Sequence, residues 1–173
     1  MNIATIKKND IANGPGVRVS VFVSGCRHAC PGCFNREAWD FDFGVPYTTA
    51  IEAEVLEALA PPFVEGLTLL GGEPFEPSNQ RALVPFLEKV REQYPQKSIW
   101  SFSGFTLEEL QTDGSHPRCE VTDRMLSLLD VLVDGRYVDE LRNLSLRFRG
   151  SSNQRLIDMK ATLREGSIVL WDA

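Results

Sequence analysis

The chain has no excess of basic residues. Its 173 residues carry 18 Lys and Arg against 24 Asp and Glu, a net charge of −6. That balance argues against a general nucleic-acid coat and against a binder of anionic membranes. No apolar run approaches the length of a bilayer span, and Met1 to Gly16 lack the apolar segment of a secretory signal. There is no internal repeat, no low-complexity tract and no linker long enough to divide the chain. The expectation is a single cytoplasmic domain over residues 1–173, with neither nucleic acid nor membrane as partner. Its 43% of hydrophobic residues suffice for a core.

Cysteine is scarce but bunched. Of the 4 cysteines, Cys26, Cys30 and Cys33 share one short stretch, CRHACPGC, and Cys119 stands apart beside Pro117. A disulfide scaffold spreads its cysteines to staple loops and accompanies export, so disulfides are the weakest reading. Three thiolates on one loop suit an iron–sulfur cluster or zinc. A zinc site could take His28 or Cys119 as its fourth ligand, although the spacing lacks the paired C-x-x-C knuckles of ordinary zinc modules. A cubane held by three cysteines would leave its fourth iron open to a small molecule, unlike the four-cysteine clusters of electron carriers.

Strand and helix signals alternate. Val17, Val19, Val21 and Val23 have the period of a strand that runs straight into Cys26. Thr49 with Glu52 predicts a capping box for a helix bearing Ile51, Val55 and Leu59, which Pro61-Pro62 stops. Leu67–Leu70 predicts a second strand, followed at once by Gly71-Gly72-Glu73-Pro74. Leu83, Phe86, Leu87 and Val90 have helical spacing around Pro85, Ile99–Phe102 reads as a strand, and Thr106 with Glu109 caps a short helix. After a loop over residues 111–120, Val121, Met125, Leu128 and Leu129 predict a helix, and Val131–Val133 a strand ending at Asp134-Gly135. Such alternation predicts an α/β fold with a mostly parallel sheet. Four strands, with one or two more near Leu146–Phe148 and Ile168–Leu170, are too few for an eight-fold barrel and predict a partial, incomplete β/α barrel. The unusual residues all follow strands, where ligands bind in such folds.

The C-x-x-x-C-x-x-C loop after the first of these strands and GGEP after the second resemble the radical S-adenosylmethionine (SAM) superfamily. Within it, NGPGVRVSVFVSGC, CPGCFN, VLVDGRY and LSLRFRGSSNQR resemble the glycyl radical enzyme activases of the anaerobic ribonucleoside-triphosphate reductase, over residues 10 to 157. The resemblance implies a barrel of the radical SAM type and an oxidoreductase. Cys26, Cys30 and Cys33 would ligate a [4Fe–4S] cluster whose open iron chelates the amino and carboxylate groups of SAM. Gly71, Gly72 and Glu73 would receive the SAM amino group, with Glu73 supplying an acceptor and a negative charge. Gly32, Cys33 and Phe34 would lie along the adenosine. Many members carry an aromatic just before the third cysteine; this chain departs from them, with Gly32 there and Phe34 just after, and Phe34 reads equally as core. Ser101, Ser103, Asp134 and Arg136 would fall at ribose or carboxylate contacts.

The implied chemistry is one-electron cleavage of SAM to methionine and a 5′-deoxyadenosyl radical, which takes a hydrogen atom from a glycine of the large reductase subunit. Reduced flavodoxin would supply the electron. The cofactors carry this chemistry, so no side chain is expected to act as acid or base, and the presence of only 2 histidines is no obstacle. Arg147, Arg149 and Arg155 read as a solvated face or as contacts to the reductase. Two rivals stay in view within the same chemistry: another glycyl radical enzyme as target, or a small molecule as in the deazaguanine-forming enzymes. A non-catalytic zinc-binding module is the rival from a different class.

Overall fold

The computed structural model describes residues 1–172. Seven strands form one sheet in the order β3-β1-β2-β4-β5-β6-β7. They are β1 (Asn2–Asp10), β2 (Val17–Val23), β3 (Val45–Pro46), β4 (Val64–Gly71), β5 (Ser98–Phe102), β6 (Val131–Asp134) and β7 (Arg155–Asp158). The central four, β2-β4-β5-β6, are parallel, and the pairs toward both edges are antiparallel. Helices α1 (Thr49–Leu59) and α2 (Pro77–Gln93) make the first two crossovers; α3 (Leu107–Gln111) and α4 (Thr122–Leu128) make the third, and α5 (Met159–Glu165) follows β7. The edge strands β3 and β7 do not pair with each other, so the sheet is open.

Most of the sequence signals hold. Thr106 and Glu109 form the reciprocal capping box of α3. The cap of α1 is instead Thr48, whose hydroxyl accepts from the Ile51 N–H at 3.3 Å. Glu52 is drawn elsewhere, by the Tyr47 hydroxyl at 2.6 Å and by Lys89. Helix α2 runs through Pro85, starting at Pro77, where the missing N–H costs nothing. The extra strand expected at Leu146–Phe148 is irregular; β7 lies further on, and Leu170 makes a single bridge to Ile157. Strand β1 carried no alternation to reveal it, because most of it borders solvent with Lys7 and Lys8 exposed, a composition that protects an edge.

The two faces of the sheet differ. Val19, Val21, Val23, Leu67, Leu69, Ile99 and Leu132 turn toward the helices and build the main core. Among the described residues, no helix contributes to the cluster on the opposite face. A smaller cluster of Trp100, Val131, Val133 and Leu156 lies there, with Phe102, Phe148 and Trp171 packed against it. Arg18, a residue of the supposed polar face of β2, is fully buried. Its guanidinium donates to Thr68 Oγ1 at 2.7 Å, Ser98 Oγ at 2.9 Å, and the carbonyls of Leu67, Ser98 and Pro15 at 2.8, 3.1 and 3.4 Å. These acceptors match the five N–H donors an arginine offers. Burial pulls its pKa down to about 10, so it stays charged at neutral pH.

Arg18 thus ties β2, β4 and β5 together at their amino-terminal ends without a carboxylate partner. Replacing it by Met leaves the acceptors dry, and we expect a loss of about 3 kcal/mol. That corresponds to a fall of roughly 10 °C in Tm for a chain of this size. A thermal melt by circular dichroism checks this; a Tm within 2 °C or so of the parent would contradict it.

Candidate functional site

The carboxyl ends of the four parallel strands meet on one side of the sheet. Beyond them come Ser24-Gly25-Cys26, Gly71 to Pro74, Ser103-Gly104 and Gly135. They border a cavity of about 350 Å³, within the range of small-molecule sites. Cys26, Cys30, Cys33, Gly71, Gly72, Glu73 and Ser103 all line it, and Leu70 and Phe102 floor it. Its outer wall is the irregular segment after β6, with Tyr137, Phe148, Arg149 and Gln154.

Close backbone approach makes this junction. The Gly72 N–H donates to Val23 O at 2.7 Å, and the Glu73 N–H to Gly25 O at 2.8 Å. A Cβ at Gly72 would sit 2.6 Å from Gly25 O, and one at Gly71, where φ is +113, would sit 2.6 Å from the Val23 N. Side chains at either position would push the turn off the root of the cysteine loop. Asn79, in the first turn of α2, fastens the same junction by donating to Ser24 O and Glu73 O, both at 2.9 Å.

Glu73 is fully buried. Its Oε1 accepts from the Phe75 N–H at 2.8 Å and the Ser103 hydroxyl at 3.0 Å; its Oε2 accepts from the Gly104 N–H at 2.7 Å and lies 2.7 Å from His28 Nε2. A carboxylate has about four lone-pair directions, and donors of this chain occupy them all. The carboxylate is thus already engaged by the chain itself. The turn that carries it borders the cavity.

The cysteines are free thiols, each half-buried. Burial, reinforced by the Glu73 charge, pushes the Cys26 thiol up to about 12. Burial and the neighbouring Cys33 sulfur also raise Cys30, against the opposing pull of the Tyr137 N–H and the Arg136 charge. Metal must therefore displace protons here. Among the described residues, no three His, Cys, Asp or Glu side chains converge to hold one metal ion. A single zinc would need its ligands within about 2.3 Å of one point. A cluster engages each cysteine at a different iron, and all three cysteines line the one cavity.

Other expected residues lie outside the cavity lining. Ser101 is buried, its hydroxyl donating to Phe102 O at 3.3 Å. Asp134 is bound by Arg155 at 2.5 and 2.9 Å and accepts from the Leu107 N–H, so it anchors α3 and β7. Arg136 pairs with Glu109 at 2.9 and 3.1 Å. Gly32 is turned toward Asp139. Phe34 lines the cavity yet is 87% exposed, so it belongs to the mouth and not to the core.

Two residues read otherwise from the sequence line the cavity. His28, read as a possible fourth zinc ligand, lies 2.7 Å from Glu73 Oε2. Arg149 lines the cavity with its Nη1 donating to Gln154 O at 2.6 Å and a buried Nε that has no partner, whereas Arg147 lies over the Phe148 ring and Arg155 is paired. Nothing in the run of three arginines separates them.

A family model described as a 4Fe-4S single cluster domain matches residues 12–157. The Pasteurella multocida (strain Pm70) protein named anaerobic ribonucleoside-triphosphate reductase-activating protein is 40% identical over 156 residues, covering 89% of this chain and 95% of its own. The chain belongs to this family of activating proteins. The Escherichia coli K12 member is 40% identical over 147 residues, 84% of this chain and 90% of its own. The Enterobacteria phage T4 member is 36% identical over 156 residues, 90% and 93% of the two chains.

Membership leaves one cysteine unaccounted for, and the geometry separates it. Cys119 lies beside Thr122 Oγ1, 3.6 Å away, outside the cavity lining. Cys119→Ala should keep the parent's iron content after anaerobic reconstitution, and Cys26→Ala, Cys30→Ala and Cys33→Ala should each lose most of it. Loss of iron in Cys119→Ala would assign it as a fourth ligand.

Proposed function

We propose that this chain is a radical SAM activating enzyme that installs a glycyl radical on the large subunit of an anaerobic ribonucleoside-triphosphate reductase. The observation that carries the reading is the convergence, on one cavity, of three thiols, a glycine turn and an arginine whose Nε has no partner. Family membership supports it independently. In this reading the open sheet is a partial barrel of the radical SAM type, residues 1–173 act as one cytoplasmic domain, and a flavodoxin-like donor supplies the electron.

The chain's own residues would bind and orient. Cys26, Cys30 and Cys33 would hold a [4Fe–4S] cluster, which with SAM supplies one-electron cleavage of a carbon–sulfur bond and hence the radical that reaches the partner's glycine. The main chain of Gly71 to Glu73 would take the amino end of SAM. Arg149, whose Nε lacks an acceptor, would take the carboxylate by a charge-assisted hydrogen bond. Cys33 and Phe34 would lie along the adenosine, with Gly32 at the turn before them and Ser103 at the wall beside Glu73. Ser101, Asp134 and Arg136 would support the cavity from behind. Phe102 and Phe148, with Leu70, would keep water from the reacting atoms.

Electron paramagnetic resonance of the anaerobically reconstituted, dithionite-reduced protein tests the reading. A [4Fe–4S] signal that changes shape on adding SAM is expected. A signal indifferent to SAM would make the protein an electron carrier, and zinc without iron would make it a binding module. Arg149→Gln should keep its iron and weaken SAM binding about tenfold; parent-like affinity would remove Arg149 from the ligand.

A further inference from the structure

The cysteine loop has no regular structure between the end of β2 and the short 3-10 turn Arg36–Trp39. Its root is held by main chain, through Gly25 N–H to Ala38 O at 2.8 Å and Cys26 N–H to Trp39 O at 3.1 Å. Beyond the root, Arg27 has a largely exposed side chain whose guanidinium reaches the buried Glu76 at 2.5 Å, while its N–H donates to Glu76 Oε1 at 3.2 Å, and Ala29 adopts a left-handed backbone with φ +49. A non-glycine residue in that region needs its surroundings to hold it there. His28 is the side chain that reaches inward, 6% exposed, with its ring centroid 4.2 Å from that of Phe105. The ring also lies against Gly104, where a Cβ would stand 2.5 Å from its Nε2.

We propose that His28 and Glu73 are a positioning pair that locks the cysteine loop over the cavity. His28 donates its Nε2–H to Glu73. That carboxylate, fixed by Phe75, Ser103 and Gly104, belongs to the ends of β4 and β5, so the bond ties the loop to two other strand ends. His28 sits between Cys26 and Cys30 in sequence. Beside the Arg27–Glu76 pair, it therefore holds the stretch that joins two candidate ligands. Glu73 acts through His28 and not on the ligand, which explains a fully buried charge at a turn whose main chain borders the cavity.

The inference rests on the proposed function only in naming the cluster; its first readout needs no metal. His28→Phe keeps the ring and removes the donor, and His28→Gln restores an N–H that reaches the carboxylate. In the metal-free proteins, hydrogen exchange of the peptide covering residues 26–34 should be about tenfold faster in His28→Phe. The β4 and β5 peptides should stay at the parent rate, and His28→Gln should recover most of the difference. After reconstitution, iron should leave for a ferrous chelator faster in His28→Phe and at near the parent rate in His28→Gln. If His28→Phe does not fold, Gly104→Ala, which displaces the ring, takes its place with the same expectation.

Parent-like loop exchange in the folded variant would overturn the proposal, as would His28→Gln behaving like His28→Phe. Glu73→Gln weakening SAM binding with loop exchange and iron release unchanged would overturn it too, by assigning the carboxylate to the ligand. A parent protein that takes up no iron would defeat the functional reading while the exchange comparison still decided this one.

Discussion

A carboxylate removed from water must find its hydrogen bonds within the protein, and the rest of this site is arranged around that demand at Glu73. An unpaired buried charge is among the costliest groups a fold can hold. Satisfying it draws in the N–H of Phe75 from its own turn, Ser103 and the Gly104 N–H from the end of β5, and His28 from the cysteine loop. Each of those donors belongs to a backbone segment that borders the cavity. The charge therefore fixes the relative positions of three loops that have no regular structure to fix them. The glycines follow from the same demand: Gly72 and Gly104 leave the room in which the segments close upon one another.

A second constraint acts at the opposite end of the strands. Parallel strands buried on both faces usually read as continuous apolar runs, yet β2 alternates valine with Arg18 and Ser20. The alternation is the trace of a sheet with helices on one face and a partly polar hollow on the other. Arg18 fills the narrow end of that hollow with a cation whose donors are all met by neutral oxygens, beside the ring of Trp100 at 5.5 Å. The hollow widens toward the carboxyl ends, where the cavity lies. The cavity has an apolar floor of Leu70 and Phe102, and the exposed Phe34 stands on its lining.

The legible parts of the sequence were those governed by local rules. The strands β2, β4, β5 and β6 announced themselves by run and period, and α3 by its capping box. The cysteine loop and the Gly71–Pro74 turn carried the resemblance that located the site. Less legible was anything decided by a distant partner. Asp134 and Arg136 follow a strand as ligand contacts would, but Arg155 and Glu109 claim them across the chain. Ser101 points away from the cavity because it differs by one residue from the neighbours that line it, the period of two working against the guess. His28 could be read only as a possible zinc ligand, since its bond to Glu73 depends on a residue 45 positions away. Arg149 was indistinguishable from Arg147 until the fold turned one inward and left the other, exposed, over the half-buried ring of Phe148.

The same geometry bears on why three cysteines suffice. A carrier of electrons gains from enclosing its cluster with four thiolates. Here the fourth cysteine lies with α4, bonded into the Thr122 network and away from the cavity. The wall across from the thiols is instead built of Phe148, Gln154 and the partnerless Nε of Arg149. A side chain that could have completed a cage is absent from that wall, and a cation suited to a carboxylate is present. Phe148 holds a left-handed backbone with φ +56 immediately before Arg149, a conformation that bulky residues avoid. It persists because its ring packs edge-on against Trp100 at 5.5 Å, so the apolar cluster beneath the cavity also sets the direction from which Arg149 faces it. The outer wall is thus anchored to the floor, as the cysteine loop is anchored to Glu73, and a ligand entering between them would meet two surfaces already held in place.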